Sequence, residues 1–133
     1  MNWLIVFAFM SLFQKDCLPE DLLWKHRILI YTGEGGFAAW LSEDLAKDLT
    51  TRKLLYFQFR ESKLINSNFK EPIQSEAFLR KLKLDPTVKE KWVLIGLDGG
   101  IKNSGFGSPS PAAIFRIIDA MPMRQSEIRS GDK

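Results

Sequence analysis

The chain is expected to fold as an α/β three-layer sandwich in the order β-α-β-α-β-β-α, with helices on both faces of a mixed sheet. Three observations predict this. Apolar and β-branched runs recur over residues 27–32, 53–60 and 92–97; the apolar period between the first two changes to helical; and Asp98-Gly99-Gly100 follows the last as a tight-turn signal. With 133 residues, 45% hydrophobic and 26% charged, the composition is that of one globular domain with a single core region.

Each element has its own justification. Residues 27–32 (RILIYT) read as a strand buried on both faces and closed by glycines. Over 36–50, Phe37, Trp40, Leu41, Leu45 and Leu49 recur at helical spacing with charge on the other side, which predicts an amphipathic helix and places Trp40 in the core. Residues 53–60 then form a second strand, with Leu55, Phe57 and Phe59 on one face and Leu54 and Tyr56 on the other. A helical crossover makes these two strands parallel. Residues 61–74 have no sustained period and are expected to be a long loop. Ser75 is placed to cap a short helix that points Phe78, Leu79 and Leu82 inward and stops at Pro86. The third strand, 92–97, carries a core Trp92 and turns at Asp98 into a polar edge strand over 101–104. Ser110 and Pro111 open a last helix, with Ile114, Phe115, Ile117, Ile118 and Met121 as its apolar stripe, and Pro122 closes it. The order of elements is that of thioredoxin-like folds.

Such folds place a reactive cysteine at the turn after the first strand, where a helix N-terminus lowers the thiol pKa. Here the turn reads Thr32-Gly33-Glu34-Gly35-Gly36 and holds no sulfur. Its glycines could offer backbone N–H groups to an anion, although Glu34 puts a negative charge in the middle. These five residues are one candidate binding site. The other is Met123 and Arg124: a chain that cannot continue as a helix past Pro122 is free to fold Met123 back over the apolar stripe as a latch, or to present Met123 and Arg124 to a partner.

The remaining constellations are sparse. Cys17 is the only cysteine and lies ahead of the predicted elements, which excludes an intramolecular disulfide. His26, the only histidine, falls between Lys25 and Arg27 and is expected to be solvent-exposed. No Gly-x-Ser-x-Gly elbow and no metal-ligand spacing occurs, so no catalytic residue, metal or cofactor is assigned. The net charge of +3 comes from basic residues interleaved with acids (Arg52, Lys53, Arg60, Glu61, Lys63), a pattern that points away from nucleic acid.

Residues 3–13 form an uncharged apolar run, too short for a bilayer span of roughly 17 to 25 residues but of the right length for a secretory signal. Residues 1–16 are therefore expected to be a signal peptide and 17–130 the folded domain, with no stable membrane span once the signal is removed.

Three stretches, residues 23–30 (LWKHRILI), 93–102 (VLIGLDGGIK) and 118–125 (IDAMPMRQ), resemble the bacterial family of unknown function called DUF4174. Its domain also looks like one found in animal extracellular proteins that carry sushi repeats. The resemblance implies a thioredoxin-like domain, often exported, with no established activity. The expectation is a non-catalytic binding or accessory module of the cell envelope, periplasmic or secreted, with an envelope or extracellular protein as partner. The alternative is an enzyme related to peroxiredoxins whose active-site cysteine has been replaced. Export has a direct test: N-terminal sequencing of protein from its native host is expected to find a start between Ser11 and Leu18, and an intact Met1 on soluble cytoplasmic protein would contradict it.

Overall fold

The structure, a computed structural model, describes residues 16–83 and 89–131. The apolar run of 3–13 and Pro86 lie outside the described residues. The strands are β1 (Arg27–Thr32), β2 (Leu54–Arg60), β3 (Lys63–Ser67), β4 (Lys91–Ile95) and β5 (Ile101–Phe106). They form one mixed sheet in the order β3-β2-β1-β4-β5. β1 and β2 are parallel, as a crossover requires, whereas β4 runs antiparallel to both β1 and β5. The helices are α1 (Ala46–Thr51), α2 (Ser75–Arg80), α3 (Pro111–Asp119) and α4 (Pro122–Arg129). With β3 at one edge and α4 after the last expected helix set aside as additions, this is the expected thioredoxin-like sandwich.

Alternation along β1 divides the core between two faces. Leu29 and Tyr31 join Tyr56, Leu94, Trp40 and the α3 stripe of Ile114, Phe115 and Ile118. Ile28 and Ile30 join Phe57, Phe59, Ile95 and, from α2 and its C-terminal turn, Phe78 and Leu82. Both layers are aromatic-rich: Phe37 stacks between Tyr31 and Trp40 at 5.5 and 5.7 Å, and Phe57 meets Phe78 at 4.7 Å. Trp40 is fully buried and donates its indole N–H to the carbonyl of Pro109 at 2.9 Å, which ties the α1 side to the lead-in of α3. Ser110 caps α3 by accepting from the Ala113 N–H at 3.1 Å, with Pro111 at the first helical position.

Several expectations are corrected. The predicted helix over 36–50 is broken into 3-10 turns at Ala38–Leu41 and Glu43–Leu45 before the short α1. Ser42 takes the cap role inside that stretch, and its extended backbone interrupts the helix. Residues 61–74 are not a loop throughout, because β3 pairs antiparallel with β2. The hairpin turn is Glu61-Ser62, both with φ near the left-handed region (49° and 66°), a geometry usually announced by Asn or Gly. The pairing then continues by side chain: Asn68 accepts from the Tyr56 N–H at 2.8 Å and donates to the Leu54 carbonyl at 3.0 Å. Gln74, not Ser75, occupies the cap position of α2. Cys17 lies within the fold, since its N–H donates to Pro72 and its carbonyl accepts from Gln74, both at 2.9 Å, in a parallel bridge with Ile73.

Pro122 does not lead into an irregular tail. It is the first residue of α4, where a missing N–H is harmless. What holds α4 is charge. Arg27, only 1% exposed at the start of β1, donates to Glu127 Oε1 at 3.1 Å and to the Arg52 carbonyl at 2.8 Å. Asp119 receives Arg52 on both carboxylate oxygens at 3.1 and 2.9 Å, and Arg124 on one at 3.3 Å. Lys53 completes the group at 3.5 Å from Glu127 Oε2. A guanidinium buried this deeply is tolerable only while its carboxylate remains. Glu127→Ala is therefore expected to lower stability by about 3 to 5 kcal/mol in a denaturant titration, whereas the pair replacement Arg27→Met with Glu127→Leu is expected to recover most of that loss.

Candidate functional site

The glycine turn leaves β1 at its C-terminal end. Thr32 is the last residue of the strand and is buried. Gly33 follows at φ +148° and is held from two sides, its N–H donating to Phe59 at 3.0 Å and its carbonyl accepting from the Gln58 amide at 2.9 Å. Gln58 is in turn held by Asn66 of β3 at 2.8 Å. The Tyr31 hydroxyl donates to the Gly35 carbonyl at 2.9 Å and folds the turn back over its own strand. Glu34 points outward, 3.8 Å from Arg60 Nε.

Two of the glycines are obligatory by packing. A Cβ on Gly33 would stand 2.4 Å from the Tyr31 hydroxyl and 2.9 Å from Glu90 Cγ. A Cβ on Gly36, itself at φ +67°, would stand 2.2 Å from Ser108 Oγ. The turn is filled by its neighbours, and the chain after it enters 3-10 turns instead of a regular helix. The expectation of a helix N-terminus aimed at an anion therefore loses its physical basis. Beside the turn lies a depression of about 490 Å³ between the ends of β1 and β2, bordered by Glu34, Arg60, Glu61, Lys89 and Glu90, a mixed-charge rim.

Met123 and Arg124 exchange the roles the sequence suggested. Met123 is 43% exposed and does not fold back over Ile114 and Ile118, because α4 carries it outward. Arg124 is the buried one, at 7%, and donates to the Thr51 carbonyl at 2.9 Å as well as to Asp119. The latch is thus an arginine anchored by charge. It sits with Arg27 at the start of β1, so the two candidate sites are separated by the length of that strand, roughly 16 Å. They are not one site. Among the described residues, no group of three or more His, Cys, Asp or Glu is placed to hold a metal ion.

Sequence reasoning missed the residues that set these geometries: Gln58, Tyr31 and Glu90 around the turn, and Arg27, Asp119 and Glu127 around α4. A polar Gln58 inside one apolar run and a charged Arg27 at the start of another were the available signals. His26 is also corrected. Its ring is half-buried, and burial lowers its pKa, with Lys53 and Lys25 adding to the effect against a hydrogen bond to the Lys53 backbone. Cys17 has a thiol pKa raised by burial and by Asp21 and Glu71. Burial pushes the Asp119 carboxyl up, but Arg52 and Arg124 outweigh it and hold the group below the ordinary value.

The element order and the five-stranded mixed sheet define an α/β sandwich of thioredoxin-like order. The chain belongs to the DUF4174 family, a domain of unknown function whose family model matches residues 18–127. No curated protein and no solved structure matches it.

Tyr31 gives this turn a measurable signature. Burial, then the charge of Glu90, raises its pKa from 10 to about 12. The unfolded chain loses this proton near pH 10 while the folded chain keeps it, so stability falls as pH rises from about 10 to about 12. In denaturant titrations across that window, Tyr31→Phe is expected to show a shallower decline than the wild type.

Proposed function

We propose that this chain is a non-catalytic binding or accessory module of the cell envelope, exported and working through contact with a protein partner. The observation that carries the reading is the packed turn: Tyr31, Glu90 and Ser108 occupy the space that a side chain on Gly33 or Gly36 would need. The lone Cys17 supports it, since it pairs with Ile73 on a different part of the chain and its raised pKa keeps the thiol protonated and poorly nucleophilic. A contact surface is available at the opposite end of β1. Trp24 is 62% exposed with φ 67°, its N–H bonded to the Leu97 carbonyl at 2.7 Å, and it shares a depression with Met123 and Ser126. A rigidly presented tryptophan beside a methionine is a common anchor for protein contacts. Arg124 belongs to this surface only as its support.

Among the described residues, no helix is long and apolar enough to cross a membrane. The test joins two measurements on the exported domain. Neither the wild type nor Cys17→Ser is expected to consume peroxide or reduce a disulfide catalytically, and a partner captured from envelope extract is expected to be lost with Trp24→Ala combined with Met123→Ala while the denaturation midpoint stays within about 1 kcal/mol of the wild type. Thiol-dependent turnover that disappears in the serine variant would decide for the peroxiredoxin-related enzyme instead.

A further inference from the structure

β5 closes the sheet at one edge, and each of its residues except Gly105 is exposed. Its pairing with β4 fixes which backbone groups face outward. Gly107 N–H donates to the Glu90 carbonyl at 3.3 Å, so by antiparallel alternation the N–H and C=O groups of Phe106 and Ser104 point away from β4. The Ser104 N–H is met by Oδ1 of its own neighbour Asn103 at 2.8 Å, a local bond that a partner's carbonyl can replace. A register shift leaves Lys102 outside the ladder, so Ile101, Ser104 and Phe106 lie opposite Ile95, Val93 and Lys91 and share the α2 face of the sheet. On that face Ile101 is 44% and Phe106 74% exposed.

The same face carries a depression of about 730 Å³ between β5 and α2 with its C-terminal turn. Leu18, Ala77 and Ile101 give it apolar walls, and Arg80, Lys81 and Lys83 line it with positive charge. Lys81 is held by Glu20 at 3.5 Å. Arg80 and Lys83 are exposed, and no ion pair among the described residues uses either of them.

We propose that this edge is a docking site for an extended acidic peptide segment, which adds to β5 as a further strand and turns its carboxylates toward Arg80 and Lys83. Ser104 and Phe106 supply the backbone ladder, Ile101 and Phe106 the apolar contact, and the unneutralised cations the choice of charge. A second copy laid against β5 would bring the same cations to the seam, and a nucleic acid has no N–H and C=O ladder to offer. The site goes beyond the envelope-module reading and depends neither on export nor on the Trp24 and Met123 surface.

The probe is a blocked peptide of about eight residues, the length of a full strand, alternating valine and glutamate. Lysine in place of glutamate is the control for charge, and N-methylation of alternate residues is the control for the ladder. On the full chain the probe is expected to shift the Ser104 and Phe106 amide NMR signals saturably, with an affinity that falls as salt is raised. Binding is expected to be about ten-fold weaker or worse for either control peptide and for Arg80→Gln combined with Lys83→Gln. If that variant does not fold, the three peptides on the wild type decide. Trp24→Ala combined with Met123→Ala is expected to bind the probe as the wild type does, so a failure here is distinguishable from a failure of the Trp24 surface. No saturable shift, equal affinity for either control, unchanged affinity in the folded glutamine variant, or loss of binding in the Trp24 and Met123 variant would each overturn the proposal. Tighter binding of oligothymidylate, or β5 shifts that grow with protein concentration alone, would overturn it in favour of a nucleic acid or a second copy.

Discussion

The structure depends on β1 more than on any other element. All six of its residues are buried, and it is the central strand of the sheet, paired in parallel with β2 and antiparallel with β4. Its side chains alternate between the two core layers, so neither layer exists without it. That centrality imposes a cost at its first residue. Arg27 enters the core as a charge, and Glu127, one hundred residues later, must be brought to it. The salt cluster of Arg27, Arg52, Asp119, Arg124 and Glu127 is the consequence, and α4 packs where it does because its charged face closes that cluster. Arg52 also lies over the Phe115 ring at 4.5 Å, which joins the charged group to the apolar layer beneath α3.

The other end of β1 carries a glycine turn whose space is taken up by its neighbours. A reactive thiol needs room, a helix N-terminus and partial exposure. The turn here offers a hydroxyl from Tyr31 bonded to Gly35, an amide from Gln58 bonded to Gly33, and 3-10 turns in place of a helix start. These bonds satisfy the turn's own carbonyls and leave its position rigid.

The segments that carry the family likeness also acquire a physical meaning. Residues 23–30 supply Arg27 and 118–125 supply Asp119 and Arg124, so two of the three distinctive stretches meet in the salt cluster. The third, 93–102, builds β4 and the turn in which Asp98 accepts from the Gly100 N–H at 2.9 Å and pairs with Lys102. These are the links that position α4 and β5 on the sheet.

The sequence by itself determined the strands whose signal is local: the apolar runs of β1, β2 and β4, the two faces of β2, the Asp98-Gly99-Gly100 turn and the Ser110-Pro111 start of α3. Hydrophobic period and turn chemistry act within a few residues, and so can be read within a few residues. It also determined that the turn after β1 has no sulfur. Only the tertiary structure decided the rest. β3 was hidden because its Glu61-Ser62 turn adopts left-handed backbone without the residues that usually mark it, and because it is half-buried at an edge. The helix over 36–50 was overestimated because its apolar spacing reflects contact with Tyr31, Tyr56 and Phe115, which 3-10 turns meet as well as a continuous helix. The exchange between Met123 and Arg124 was decided by Asp119 and the Thr51 carbonyl, partners that no local pattern connects to residue 124. Burial of an arginine depends on finding distant carboxylates and carbonyls, and that information exists only once the chain has folded.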